Sequence, residues 1–241
     1  MNKLTKLIHI LRTPLFIRGL LKNVAAGVEH EELLRTLTCS CVVDIGANRG
    51  QFSLISRKVF PQAMIYAFEP LTEPANKFRQ VFKNDTRVKL SQCAIGPENG
   101  QTTIHVSKQD DSSSLLPISE RQAELFPGTD EKEIRQVEVS LLENVLKRED
   151  ILHPGFLKID VQGYEKSVLR GCDSLITCFS YIYVECSFVE LYQGQALAHE
   201  IIDYLRQRNF YLSGVYNVFQ SNTGQAIQGD FLFRQNTSIE K

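Results

Sequence analysis

Four carboxylates stand where apolar runs stop. Asp44 follows Cys41-Val42-Val43, Glu69 follows Ile65-Tyr66-Ala67-Phe68, Asp160 closes Phe156-Leu157-Lys158-Ile159, and Glu185 follows Tyr181-Ile182-Tyr183-Val184. A carboxylate at the end of a buried strand carries a large desolvation cost unless it meets donors or a polar ligand. Four of them on one rim are more than core packing explains. Between the first two lies Gly46-Ala47-Asn48-Arg49-Gly50, followed by a segment with helical spacing, Phe52, Ile55 and Val59. A strand, a tight turn and a helix N-terminus form a site for a nucleotide-like ligand. Gly46 is read as removing a side chain where a ligand approaches the backbone, and Asn48 as a residue that tolerates left-handed dihedrals.

The elements that must position these residues alternate. Val42–Ile45 reads as a first strand and Gln51–Phe60 as a helix, then Ala63–Phe68 as a strand and Glu73–Phe82 as a helix. Val88–Ile95 is expected as one third strand, with Thr102–Val106 as a hairpin partner beyond the turn at Gly96-Pro97-Glu98-Asn99-Gly100. The polar segment 107–136, containing Asp110-Asp111-Ser112-Ser113-Ser114, is too long for a simple connection and reads as a lid or substrate-binding insertion. Val137–Val139, a short helix at Leu141–Lys147 and the strand Phe156–Ile159 follow. A helix at Tyr164–Arg170 is expected to stop at Gly171 as its C-terminal cap. Tyr181–Val184, the amphipathic helix Ala196–Arg208, and a closing antiparallel pair, Phe210–Val215 with Asp230–Phe233, complete the chain. Repeated β-α units predict a doubly wound, mostly parallel sheet, whose ligands gather at the carboxyl ends of the strands.

Residues 1–38 are expected to form a helical cap ahead of a domain at 39–241. One helix carries Leu4, Leu7, Ile8 and Leu11 and stops near Thr13-Pro14; a second runs to about Leu37. Five basic and no acidic residues precede Glu29, so with a net charge of −1 the remainder carries −1 − 5 = −6. The basic segment is therefore expected to dock on the acidic body, with peripheral contact to an anionic membrane surface as the alternative. The overall charge and the absence of a basic or aromatic-rich platform argue against nucleic acid. Six cysteines without paired metal spacing read as reduced thiols of a cytoplasmic protein. No apolar run approaches the roughly 18 residues that span a bilayer. A homodimer is left open.

Glu69 lies 19 positions beyond Gly50, where a carboxylate can accept both hydroxyls of a ribose. A dinucleotide would call for G-x-G-x-x-G, and that spacing is missing here. An acid two positions before the first glycine instead matches the methyltransferase pattern D-x-G-x-G-x-G, with Asn48 at the middle glycine. S-adenosylmethionine has no pyrophosphate, so an acid beside the turn suits it, and it is the expected cofactor. An NAD(P)-dependent oxidoreductase and a non-catalytic nucleotide-binding module are the competing readings.

Several blocks occur in a fixed order: Asp44-Ile45-Gly46-Ala47-Asn48-Arg49-Gly50-Gln51-Phe52, Phe68-Glu69-Pro70, Ala94-Ile95-Gly96, Ser112-Ser113-Ser114-Leu115, Leu157-Lys158-Ile159-Asp160-Val161-Gln162-Gly163-Tyr164-Glu165, Val168-Leu169-Arg170-Gly171 and Val184-Glu185-Cys186. The ordered set, over about residues 42–190, resembles the FkbM family of S-adenosylmethionine-dependent methyltransferases. One departure is Gln162, where many members carry Glu. The resemblance implies a class I methyltransferase fold and O-methylation of a hydroxyl, often on a sugar or a polyketide-type product.

The expected cofactor contacts are Asp44, Gly46, Ala47, Asn48, Gly50, Phe52, Glu69, Pro70, Cys93, Ala94 and Asp160. Transfer to a hydroxyl benefits from a general base, typically worth about 10²–10⁴-fold. Asp160 is the first candidate, Glu165 the second, with helix-dipole stabilisation as its alternative role. His30, reaching over from the cap, is the third; His153 and His199 read as ordinary loop and helix-surface residues. No metal is expected, although Asp160 and Glu185 end adjacent strands and would suit Mg²⁺. The acceptor is expected to be a saccharide or a small natural product.

Overall fold

A computed structural model of the chain describes residues 13–236. The helix expected over Leu4–Leu11 lies outside them. The second N-terminal helix is broken rather than continuous. Helix α1 (Pro14–Leu20) opens on proline, whose fixed φ suits a first helical position. Asn23, at positive φ, and Gly27 interrupt the chain, and a 3₁₀ turn (Val28–His30) leads into α2 (Glu31–Leu34).

The strands and helices then alternate: β1 (Cys41–Ile45), α3 (Gln51–Val59), β2 (Met64–Phe68), α4 (Thr72–Phe82) and β3 (Val88–Ser91). Next come β4 (Ala94–Ile95), β5 (Gly100–Ser107), α5 (Glu120–Leu125), β6 (Glu131–Ser140) and α6 (Leu142–Val145). The chain continues through β7 (Gly155–Ile159), α7 (Glu165–Gly171), β8 (Phe179–Ser187), α8 (Ala198–Arg206), β9 (Phe210–Gln220) and β10 (Ala226–Gln235).

The main sheet has seven strands in the order β3-β2-β1-β7-β8-β10-β9. Strands β1, β2, β3, β7 and β8 run parallel, and β10 is antiparallel to both its neighbours. The order reverses between β1 and β7, the position where ligands sit in open α/β sheets. Both strands are buried on both faces, so their residues are apolar nearly throughout. Alternation divides the core. Cys41, Val43, Ile45, Leu157 and Ile159 pack with Val168, Leu169, Ile201 and Leu205 of α7 and α8. Val42, Phe156, Tyr183 and Leu232 face Phe52 and Ile55 of α3 and the N-terminal residues Phe16, Val28 and Leu34.

Three expectations need correction. Val88–Ile95 is two strands in two sheets, because β4 leaves β2 and pairs with β6 in a three-stranded sheet β4-β6-β5. The partner of Thr102–Val106 is β6, which claims residues 131–136 of the segment expected as lid; the alternating exposure along Glu131–Ser140 marks it as a strand with one covered face. Gly171 ends α7 inside the helix and has no left-handed φ; a Cβ there would come within 2.2 Å of the Gly96 carbonyl oxygen, so close packing requires the glycine.

Candidate active site

A cavity opens at the carboxyl ends of β1, β2 and β7, over the switch point. One wall is the loop after β1. Gly46 has φ +77°, and a Cβ there would lie 1.8 Å from the Asp160 carbonyl oxygen. The glycine is thus required by the neighbouring strand end as much as by any ligand. Asn48 takes φ +46°, its Oδ1 accepting from the Arg49 amide at 2.7 Å. Gly50, at φ +97°, caps α3 with its Cα against the rings of Phe78 and Phe82.

Glu69 lines the cavity beyond the end of β2. Its Oε2 accepts from the Asn48 amide at 2.9 Å and its Oε1 from the Leu71 amide at 2.8 Å. Burial pushes its carboxyl up to about 7 against these stabilising amides. Each oxygen is tied to one backbone donor and retains acceptor capacity for a ligand hydroxyl. Pro70, Leu71, Cys93, Ala94, Ile95, Ile104, Leu115 and Val168 supply an apolar wall beside it. Gly46, Ala47, Asn48, Phe52, Asp160 and His30 also line the cavity.

Three expected residues do not line it. Asp44 is completely buried beneath the loop, its Oδ2 accepting from Ser53 Oγ at 2.6 Å. Its Oδ1 lies 3.3 Å from Lys158 Nζ, and the two residues are direct partners across β1 and β7. Gly50 packs on phenylalanines, as above. Glu165 is turned into the loop ahead of α7: its Oε1 accepts from the Gly163 amide at 2.9 Å and the Val161 amide at 3.3 Å. Burial raises its carboxyl to about 7.

Lys158 was not singled out among the site residues, yet it links them. It is 7% exposed, and its ammonium donates to the Gly46 carbonyl at 3.0 Å, lies 3.5 Å from Asp160 Oδ2 and sits over the Phe52 ring. Burial alone would lower its pKa, but Asp160, Asp44 and Glu185 reverse that and hold it above the ordinary lysine value. The signal was present: a lysine inside an apolar run, two residues before Asp160, shares its strand face and needs a carboxylate partner there.

Gln162 is the second omission. Held at φ +56°, it donates from Nε2 to Asp160 Oδ1 and to Glu185 Oε2, both at 2.8 Å, and its Oε1 accepts from Tyr192 Oη at 2.9 Å. The amide therefore occupies the space between the two carboxylates considered as magnesium ligands. The segment expected as a lid does lie at the cavity mouth: Asp110, Asp111, Ser113 and Ser114 line it. Arg49 Nε donates to Asp110 Oδ2 at 3.0 Å, and Ser114 Oγ donates to the Gln162 carbonyl at 2.6 Å. His153 and His199 are exposed.

The sheet order, the glycine loop at its switch point and the carboxylate beyond β2 define a class I methyltransferase. A sequence model of the Methyltransferase FkbM domain matches residues 44–212, and the chain belongs to that family of S-adenosylmethionine-dependent methyltransferases. Among curated relatives, 2-O-methyltransferase NoeI of Sinorhizobium fredii is 29% identical over 203 residues, covering 79% of this chain and 82% of that protein. The 31-O-demethyl-FK506 methyltransferase FkbM of Streptomyces tacrolimicus is 26% identical over 154 residues, 55% of this chain and 59% of its own length. Among solved structures, a putative O-methyltransferase from Klebsiella pneumoniae shares the fold with a TM-score of 0.52 at 12% identity, over 96% of this chain and 95% of that one. Among the described residues, no helix is long and apolar enough to cross a membrane.

Proposed function

We propose that the protein binds S-adenosylmethionine in this cavity and transfers its methyl group to a hydroxyl oxygen of a saccharide, glycolipid or secondary-metabolite acceptor. The observation that carries the reading is the continuity of one cavity from Glu69 to Asp160 and His30. Glu69 would accept the ribose hydroxyls, the apolar wall from Cys93 to Ile95 would cover the adenine, and the Gly46–Asn48 backbone would hold the amino-acid portion. The cofactor supplies an electrophilic methyl carbon on a positively charged sulfur. The chain's own residues align an acceptor oxygen with it and exclude competing water.

Two curated relatives carry O-methyl transfer in their names, which supports oxygen as the acceptor atom. The mouth, with Asp111, Ser113, Asp160 and Gln162, offers carboxylate, hydroxyl and amide groups that suit a polyhydroxylated molecule. Calorimetry with S-adenosylhomocysteine and with NAD tests the cofactor: binding of the first and not the second is expected, and the reverse would return the oxidoreductase reading. Transfer of labelled methyl to a panel of saccharide and natural-product alcohols tests the acceptor. Labelling of amine or thiol acceptors alone would overturn it.

A further inference from the structure

We infer that His30 takes the acceptor proton and that Tyr183 and Asp230 hold its imidazole in the tautomer this requires, an assignment that rests on methyl transfer to a hydroxyl. The ring is fixed in orientation. It meets Phe52 edge-on at 5.2 Å between centroids and Tyr183 edge-on at 5.6 Å. Its Nδ1 points into a polar cluster on the cap-side face of the sheet: Tyr183 Oη lies at 3.1 Å, Asn217 Nδ2 at 3.3 Å and Asp230 Oδ2 at 3.6 Å.

The tautomer follows from counting hydrogens. Asn217 Nδ2 carries two hydrogens; it donates to Asp230 Oδ2 at 2.8 Å and to Tyr183 Oη at 3.4 Å. His30 Nδ1 then faces two oxygens, Tyr183 Oη at 3.1 Å and Asp230 Oδ2 at 3.6 Å, and the carboxylate is an acceptor only. The hydrogen between them is assigned to His30 Nδ1. The neutral ring is left with its lone pair on Nε2; among the described residues Glu29 Oε1 lies 4.0 Å from it, beyond hydrogen-bond reach.

The competing bases are already engaged. Asp160 gives one oxygen to Gln162 and the other faces Lys158, while Glu165 serves two backbone amides. Among the described residues, the charged and titratable groups around His30 are Glu29 on its own turn, Asp230 and Tyr183 behind it, Tyr216 against Tyr183, and Lys158 across the Phe52 ring. Glu31 on the next turn pairs with Arg35 and Lys58.

The step balances. The acceptor oxygen bonds to the methyl carbon while the carbon–sulfur bond breaks with its electron pair on sulfur. His30 Nε2 takes the hydroxyl proton and becomes imidazolium, its Nδ1–H still directed at Tyr183, and solvent later removes the proton. His30 is the catalytic residue; Tyr183 and Asp230 are positioning residues.

The test uses the full chain with ¹⁵N-labelled histidine and saturating S-adenosylhomocysteine. Proton–nitrogen correlation spectra, assigned through His30→Gln, should show the Nδ1–H tautomer in the native protein and a shift toward Nε2–H in Tyr183→Phe. An Nε2–H tautomer in the native protein overturns the proposal. In turnover with labelled S-adenosylmethionine and the saccharide panel, His30→Gln should lower kcat by about 10²–10⁴-fold with the S-adenosylhomocysteine affinity unchanged. Asp230→Asn, which replaces the carboxylate oxygen 3.6 Å from Nδ1, should likewise shift the ring toward Nε2–H. Lost S-adenosylhomocysteine affinity with kcat preserved would make His30 a cofactor ligand and overturn the assignment. If the native enzyme methylates no hydroxyl, the parent reading falls; if it does and His30→Gln is equally fast, only this inference falls.

Discussion

Replacing Lys158 by methionine keeps the length of the side chain and removes its charge. The ammonium lies between Asp44 at 3.3 Å and Asp160 at 3.5 Å, and Asp44 is 0% exposed. Without it, Asp44 keeps the Ser53 hydroxyl but has no counter-charge. Breaking one side of a buried ion pair costs about 3–5 kcal/mol, because the remaining charge stays desolvated. At about 1.4 kcal/mol per decade, this lowers the folding equilibrium constant by two to more than three orders of magnitude. Urea unfolding at neutral pH measures it, with the double variant Lys158→Met/Asp44→Asn as control. Asparagine can still accept from Ser53 through its carbonyl oxygen, so most of the loss should return.

Lys158 has a raised folded-state pKa, so its stabilisation is complete below about 10.4, the ordinary lysine value, and is lost only as pH rises through the raised one. The single variant's deficit should therefore persist from neutral pH to about 9. A loss below about 1 kcal/mol, within the range of an exposed ion pair, or a double variant no better than the single one, would refute the reasoning.

Other perturbations separate binding from support. Glu69 is buried with its carboxyl raised to about 7, so affinity for S-adenosylhomocysteine should fall as pH drops below that value; Glu69→Gln should bind weakly at every pH, and a flat native profile by calorimetry would exclude the ribose role. Glu165, also raised to about 7, favours folding most in acid and loses that contribution as pH rises through 7. Glu165→Gln keeps an oxygen for the Val161 and Gly163 amides, so its kcat should stay within a few-fold of native and its thermal stability should improve above pH 7. A large loss of kcat would restore Glu165 as a base. Gly46→Ala places a methyl 1.8 Å from the Asp160 carbonyl oxygen at φ +77°. The dihedral alone costs roughly 1–2 kcal/mol, and the clash should add loss of S-adenosylhomocysteine binding even where the protein remains folded by circular dichroism.

The main sheet could be read from the sequence because β1, β2, β7 and β8 are largely apolar and each carries an acid at or next to its carboxyl end. The register of β4 could not. Val88–Ile95 is continuous in β-propensity, and only the three-dimensional path shows that the chain leaves one sheet at Ser91 and enters another at Ala94. Gly171 was misread for a related reason. A glycine after a helical run resembles a cap, and nothing local reveals that its neighbour is the Gly96 backbone. Within the site, the strand-end acids were visible as a group, but their orientations were not. Asp44 and Asp160 differ by little in pattern, yet one is sealed under the loop and the other lines the cavity.

Lys158 explains why that difference matters. Its Nζ touches Gly46 in the loop after β1, Asp44 beneath it and Asp160 at the mouth, while the Gly46 Cα lies against the Asp160 backbone. Loop and strand end thus form one rigid unit through a buried charge and a close backbone contact. The cavity mouth is built differently. Ser112 to Ser114 are held by the Tyr192 hydroxyl near the Ser112 carbonyl and by Ser114 Oγ on Gln162, and Arg49 ties Asp110 to the loop. Those polar contacts can be exchanged with little effect on the core. Substitutions at Asp111 or Ser113 should therefore change which acceptor is used, by KM, with S-adenosylhomocysteine affinity retained; equal loss of both would show that the mouth and the cofactor site are one unit.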